Sequence, residues 1–273
     1  MNKLICFDLD GTLLNSQKQV SDTNIKALRY CCENNDFVYF VTGRPTCFAR
    51  FLADKIDKRI KTICFNGAFY EQDGKQIEFK IDDLSIKNVI NEISNFKQTK
   101  IFLKSKNAIY TNSDYDARFL YDELNEYLSE DMQIKSHINL SYDEIYKTRD
   151  NILKIIVFDE NSDNIKQIRC ILNKYNKLNI TSCYENGFDI VSQNVNKKIA
   201  LQSIIKSLNI DINQVYAFGD GDNDIEMLSY AGTSFAMMNA GINVKNIADF
   251  VIPSNDDNGV SWAIKNIIYK DTY

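Results

Sequence analysis

Apolar residues gather in short continuous runs at both ends of the chain. Leu4–Phe7, Phe37–Val41 and Thr62–Phe65 come early, and Val215–Phe218, Ser234–Met237 and Phe250–Ile252 come late. Runs without polar interruptions suit strands covered on both faces, as in a parallel sheet. Between them, Asn24–Asn34 and Lys197–Leu208 repeat apolar residues at helical spacing, and Ile225–Tyr230 forms a shorter helix. Strand and helix in alternation predict a layered α/β core.

The middle of the chain has a different rhythm. Lys100-Ile-Phe-Leu-Lys104 alternates polar and apolar, and Ala108–Thr111, Ile152–Phe158 and Ile180–Tyr184 are its companions. Helical stretches at Leu84–Phe96 and Asp163–Asn173 intervene. Alternation of this kind belongs to a sheet with one open face, typical of an antiparallel α+β unit. The expected fold is therefore α/β, a doubly wound, mainly parallel sheet built from residues 1–80 and 186–273. An α+β domain over residues 81–185 is inserted into it.

Composition narrows the possible functions. With 44% hydrophobic and 25% charged residues in 273, the chain sits in the globular range, and 10 Gly and 2 Pro exclude collagen-like or Pro-rich readings. The 32 Lys and Arg against 37 Asp and Glu leave a net charge of −5, which argues against nucleic acid as the main partner. No apolar run approaches the ~20 residues of a membrane span. The opening MNKLICFDLDGTLL carries acidic residues where a signal peptide would be apolar, so a cytoplasmic location is expected. The seven Cys, at 6, 31, 32, 47, 64, 170 and 183, form no CxxC pair and read as buried, reduced thiols. A single histidine, His137, rules out sites that need several His ligands. Chemistry must rest on carboxylates, hydroxyls, amides and lysines.

Four motifs supply those groups. Asp8-Leu9-Asp10-Gly11-Thr12 ends the first apolar run, which places two carboxylates at the carboxyl end of a parallel strand, where open α/β sheets bind ligands. Close carboxylates require a cation or a shared proton. Gly219-Asp220-Gly221-Asp222-Asn223-Asp224 follows another strand and is dense enough in acid to call for a divalent ion. A calcium EF-hand is excluded, because Ile225 and Ala231 stand where that loop needs Gly and Glu. Val41-Thr42-Gly43-Arg44 offers a hydroxyl and backbone N–H groups near a helix start, an anion cradle. Asn196-Lys197-Lys198 opens a helix with two lysines, which oppose the macrodipole unless an anion is near. On a helical wheel Lys197 falls on the stripe of Ala200, Leu201, Ile204 and Leu208, while Lys198 points toward solvent. Together these groups make an inventory for phosphoryl transfer with an aspartate nucleophile.

The same motifs resemble those of the haloacid dehalogenase-like hydrolase superfamily, specifically the Cof-type (subfamily IIB) phosphatases. DLDGTLL at 8–14 is similar to the family's first motif, VTGR at 41–44 to its second and GDGDNDIEML at 219–228 to its fourth. CFNGA at 64–68 and the stretch from Asn239 to Val260 resemble further subfamily segments. The resemblance implies a doubly wound core with an inserted cap, and a Mg²⁺-dependent phosphatase acting on a small phosphorylated metabolite, a sugar phosphate being the first expectation. It implies Asp8 as nucleophile and Asp10 as general acid and base. It also implies Mg²⁺ on Asp8, the Asp10 carbonyl and Asp220, supported by Asp224. Thr42, the Gly43 N–H, Lys197 and Asn223 are implied at phosphoryl oxygens. Asn194 to Lys198 departs from the family's glycine-containing third motif. Arg118, Lys135, Tyr184 and Asn186 are candidate cap contacts. A phosphomutase and a phosphoryl-accepting signalling module are the rival readings. The expected partner is a small phosphate ester, with no nucleic acid and no membrane, and the chain a monomer or weak homodimer.

Overall fold

A computed structural model describes residues 2–115, 128, 130, 133–184 and 186–270, with the side chains of 182–184 excepted. The core strands are β1 (Leu4–Phe7), β2 (Phe37–Val41), β3 (Lys61–Cys64), β4 (Phe69–Gln72), β5 (Lys75–Glu78), β12 (Val215–Gly219), β13 (Thr233–Met237) and β14 (Phe250–Ile252). They form one sheet in the order β14-β13-β12-β1-β2-β3-β4-β5. Pairing is parallel from β14 to β3, and the β3–β4 and β4–β5 pairs at the other end are antiparallel.

Alternate residues of each strand go to opposite faces, and both faces are covered. Ile5, Phe7, Val38, Phe40, Phe218 and Phe235 pack toward α1 (Asp22–Glu33), α2 (Thr46–Ile56) and α9 (Gly259–Ala263). Leu4, Cys6, Tyr39, Val41, Val215 and Ala217 pack toward α6 (Lys197–Leu208), α7 (Ile225–Tyr230) and α8 (Ile242–Lys245). Register places Phe7, Phe218, Phe235 and Phe250 side by side on β1, β12, β13 and β14. Their rings stack at centroid distances of 4.7, 4.5 and 5.6 Å, which ties four strands together through one row of aromatics.

The second sheet contains β6 (Lys100–Lys104), β7 (Ala108–Thr111), β8 (Lys135–His137), β9 (Lys154–Phe158), β10 (Leu178–Tyr184) and β11 (Gly187–Ser192), in the order β10-β11-β9-β6-β7-β8. All of its pairs are antiparallel except β7 with β8. One face, with Ile101, Leu103, Ile155, Val157, Phe188 and Ile190, packs on α3 (Asp83–Ile93), α4 (Tyr142–Lys147) and α5 (Ser162–Leu172). The opposite face turns to the core domain, where Phe102, Ile109 and Ile134 meet Cys47, Phe48 and Phe51 of α2.

Two expectations need correction. A division at residue 185 falls inside the β10–β11 hairpin, because Gly187–Ser192 pairs with both β10 and β9. We propose instead that the inserted unit runs from about 81 to 192. Cysteine burial holds for Cys6, Cys31, Cys32, Cys47 and Cys64, but Cys170 is exposed on α5, whose apolar stripe is formed by Ile165, Ile168 and Leu172. The side chain of Cys183 lies outside the described residues. Among the described residues, no helix is long and apolar enough to cross a membrane.

Candidate active site

The site lies at the carboxyl ends of β1, β2 and β12. Asp8 directly follows β1, and its N–H still donates to the Phe218 carbonyl at 3.0 Å, so the residue is held by the sheet. Lys197 is the first residue of α6, whose N-cap Asn196 accepts from the Ile199 N–H. Its Nζ lies 2.5 Å from Asp8 Oδ1 and 2.7 Å from Asp224 Oδ1. Lys198 is directed elsewhere, with its Nζ 5.8 Å from the centre of the Tyr230 ring.

A glycine fixes where α6 begins. Gly67 has φ of +102°, and a Cβ there would stand 2.4 Å from the Asn196 carbonyl oxygen. Only glycine allows the two backbones this close. The start of α6, and Lys197 with it, is therefore set by the 64–68 segment despite the absent glycines around residue 196.

Three carboxylates surround the ammonium. Asp8, Asp220 and Asp224 each offer an oxygen, and these lie within 4.8 Å of one another. Asp220 Oδ1 accepts from the Thr12 hydroxyl at 2.8 Å. Gly11, at φ of +81°, lets Asp220 come closer than any side chain would permit, since a Cβ would be 2.2 Å from Oδ2. Asp224 is fully engaged. Its Oδ1 takes Lys197, and its Oδ2 accepts the N–H groups of Asp220 and Gly221 at 3.1 and 3.0 Å.

Asp10 is not a member of this cluster. Arg44 grips it with two bonds, Nε to Oδ2 at 2.7 Å and Nη2 to Oδ1 at 2.6 Å, and Lys18 adds a third contact at 3.2 Å. The Thr42 hydroxyl is buried and accepts from the Arg44 N–H at 3.1 Å. Among the described residues, no acceptor takes the neighbouring Gly43 N–H.

The profile of the haloacid dehalogenase-like hydrolases matches residues 5–264. The chain belongs to that family. Among its relatives, the 5-amino-6-(5-phospho-D-ribitylamino)uracil phosphatase YcsE of Bacillus subtilis is 27% identical, over 97% of this chain and 95% of the relative. A haloacid dehalogenase-like hydrolase structure from B. subtilis superposes with a TM-score of 0.84 at 28% identity, covering 97% of this chain and 99% of the other. The subclass IIB sugar phosphatase BT4131 shares the fold, with a TM-score of 0.80 at 22% identity over 97% and 98% of the two chains. The present haloacid dehalogenase-like hydrolase is thus a phosphatase of the capped, subclass IIB kind.

Burial and crowding tune the charges of this hydrolase. Burial pushes the Asp8 carboxyl well above the usual carboxylate range; Lys197 opposes the push, and Asp224 and Asp220 add to it. Asp220 is raised to about 6, by burial first and then by Asp224. Burial alone would lower Lys197, but Asp224 and Asp8 outweigh it and hold the ammonium above its ordinary value. Asp10 moves the other way, to about 2, because the Arg44 bonds and charge, with Lys18, overcome its burial.

Asn223 is not turned toward the carboxylates. Its Nδ2 donates to Asn66 Oδ1 at 3.1 Å, and Asn66 Nδ2 donates to Asp189 Oδ2 of β11 at 2.9 Å. The same Asp189 oxygen accepts from Lys154 of β9 at 2.6 Å. Core and cap are thereby joined by a buried chain of polar side chains. Sequence reasoning noted CFNGA without giving Asn66 a role, and it passed over Arg44 as a partner for Asp10 and over Lys154 and Asp189 altogether. A signal existed for Lys154, a lysine opening a strand otherwise made of Ile, Ile, Val and Phe. Among the cap candidates, Lys135 is exposed on β8 and Asn186 sits in the β10–β11 turn, while Arg118 and the Tyr184 side chain lie outside the described residues.

Proposed function

We propose that this phosphatase hydrolyses a small phosphorylated metabolite of the sugar phosphate class through an aspartyl-phosphate on Asp8, with Mg²⁺ as cofactor. The observation that supports the reading best is the three-carboxylate cluster closed by Lys197 at the end of β1. The substrate class follows the names of the relatives, a phosphoribityl-compound phosphatase and a sugar phosphatase.

The donor set fits a hard divalent ion. One ammonium balances three carboxylates, and among the described residues no donor reaches Oδ2 of Asp8 or of Asp220. Asp8 and Asp220, with the Asp10 carbonyl, would hold the ion, and Asp224, whose oxygens are both engaged, would orient Lys197 and the 220–221 backbone. Bound there, Mg²⁺ supplies charge neutralisation between the carboxylate and the phosphoryl oxygens.

The chain's own groups then carry the reaction. An Asp8 oxygen attacks phosphorus, the bond to the leaving oxygen breaks, and Asp10 delivers a proton to that oxygen. In the second half, Asp10 takes a proton from water as the water attacks phosphorus, releasing inorganic phosphate and Asp8. Lys197, the Thr42 hydroxyl and the Gly43 N–H hold phosphoryl oxygens. Arg44 and Lys18 keep Asp10 ionised, which is the form needed as base; it serves as acid after it has left Arg44 and taken up a proton, which the water of the preceding turnover or solvent supplies.

Acid quenching during turnover of a sugar phosphate, followed by peptide mass mapping, tests the scheme. Asp8 should carry one phosphoryl group, and free phosphate should accumulate. A label on another residue would remove Asp8 as nucleophile. Return of the label to a second sugar position, without free phosphate, would identify a mutase.

A further inference from the structure

The cap face that looks onto the site carries more positive charge than it balances. Lys104 on β6 and Lys154 on β9 are direct cross-strand partners, so both side chains leave the sheet on the same side. Asp189 shares that side, being paired with Ile156, two residues along β9 from Lys154. Lys154 is bonded to Asp189, and Arg44 is bonded to Asp10. Lys104 is only 9% exposed, yet among the described residues it makes no side-chain hydrogen bond and no ion pair.

The cluster abuts the phosphate cradle. A Cβ on Gly43 would stand 3.3 Å from Lys154 Nζ and 2.9 Å from Asn66 Oδ1. Lys104 itself lines the narrow cleft between the cap strands and the core, beside Pro45, Phe65 and Ile109. Its neighbours there, Phe102 and Ile109, are apolar, so packing alone would favour a hydrophobic residue. Like charges set opposite each other in a sheet are destabilising. Burial pushes the Lys104 ammonium down to about 7, Lys154 and Arg44 press the same way, and Asp189 opposes them. Asp189 is shared with Lys154, so an ammonium in such surroundings gains from a further anion that joins it.

We propose that Lys104, next to the Lys154–Asp189 pair, is a second anion subsite, taking a carboxylate or a further phosphoryl group on the leaving-alcohol side of the substrate. This rests on the phosphatase reading above and sharpens it: the preferred esters are phosphorylated sugar acids or bisphosphates and not neutral sugar monophosphates. The Lys154–Asp189 pair fixes the floor of the subsite, and Lys104 supplies the uncompensated charge. The scissile phosphoryl group keeps its own lysine, Lys197, beside Asp8.

Matched ester pairs test the assignment, with p-nitrophenyl phosphate as a reference for hydrolysis itself. In Mg²⁺ buffer the wild-type protein should favour 3-phosphoglycerate over glycerol 3-phosphate, and fructose 1,6-bisphosphate over fructose 6-phosphate, by at least ~10-fold in kcat/KM for at least one pair. Lys104→Met should erase that preference, lowering kcat/KM for the anionic member at least ~10-fold more than for its neutral counterpart, and Lys104→Arg should restore part of it. Equal rates within both pairs for the wild-type protein would overturn the subsite, whether or not any variant folds. An unchanged preference in Lys104→Met would overturn it as well. Failure to hydrolyse any ester, p-nitrophenyl phosphate included, would overturn the phosphatase reading and the subsite with it; hydrolysis without preference overturns the subsite alone.

Discussion

The two sheets of this protein place their charges differently. The core sheet is covered on both faces, so its strand interiors are apolar and its reactive groups stand where the strands stop: Asp8 after β1, Thr42 after β2, Asp220 after β12. The cap sheet has its own helices on one face only, and Lys104, Lys154 and Asp189 lie within the strands on the other, which meets the core domain. A sheet covered on both faces by its own helices can do chemistry only at its ends, whereas a sheet that turns one face to a neighbouring domain can offer strand residues to a cleft between them. Changes at core strand ends should therefore remove turnover, and changes on the cap face should alter stability and selectivity.

The largest effect expected is at the core. Asp8→Asn should lower kcat by more than ~10³-fold while leaving the circular dichroism spectrum and Tm near the wild-type values, since the amide is nearly isosteric. Retention of a sizeable share of activity would break the comparison at its strongest point.

Next comes the joint between the two sheets. Asp189→Asn leaves the buried Lys154 ammonium without its carboxylate and should cost about 3–5 kcal/mol of unfolding free energy, read from urea titration. Loss below ~1 kcal/mol would mean that the pair is not a stability element.

Lys197 separates its two roles from those of its neighbour. Lys197→Ala should cost at least ~10²-fold in kcat/KM, and Lys198→Ala, whose side chain lies by Tyr230, a few-fold at most. The reverse ranking would place the reactive lysine one residue later.

The smallest effect has the opposite sign. Lys104→Met should stabilise the protein by at least ~1 kcal/mol at neutral pH and below, because a buried, uncompensated ammonium is replaced by an apolar chain of similar volume. The pH dependence follows from a folded value of about 7 against an ordinary 10.5. Between those limits the unfolded chain binds more protons, so wild-type stability rises with pH. The gain from the substitution should thus be largest below pH 7 and vanish toward pH 10.5, which Tm measured across that range would show.

The core was readable from sequence because strands buried on both faces leave unbroken apolar runs, and the residues that end such runs are placed by the run itself. Lys197 could be assigned for a similar reason, since it shares a helical stripe with Ala200, Leu201 and Ile204. The β4–β5 hairpin escaped notice because its short strands, Phe69–Gln72 and Lys75–Glu78, are half polar or more. Arg44 and Asp10 are 34 positions apart, and Asn66 and Asp189 are 123 apart, so only tertiary structure reveals those bonds. Alternation in β6 announced an open face, but it did not say what that face looks upon.

The interrupted wiring of the core has a consequence for how the molecule is made. Strand β1 lies at the centre of its sheet, yet one of its two neighbours, β12, follows only after the entire cap has been threaded through. Thr12 and Asp220, which touch in the finished site, are 208 positions apart. On a ribosome the cap, whose sheet is self-contained, can fold while one side of β1 still waits for its partner. The lysine and the two aspartates that complete the constellation around Asp8 all follow the cap in the chain, so a nascent chain acquires its catalytic identity only after the cap has been made.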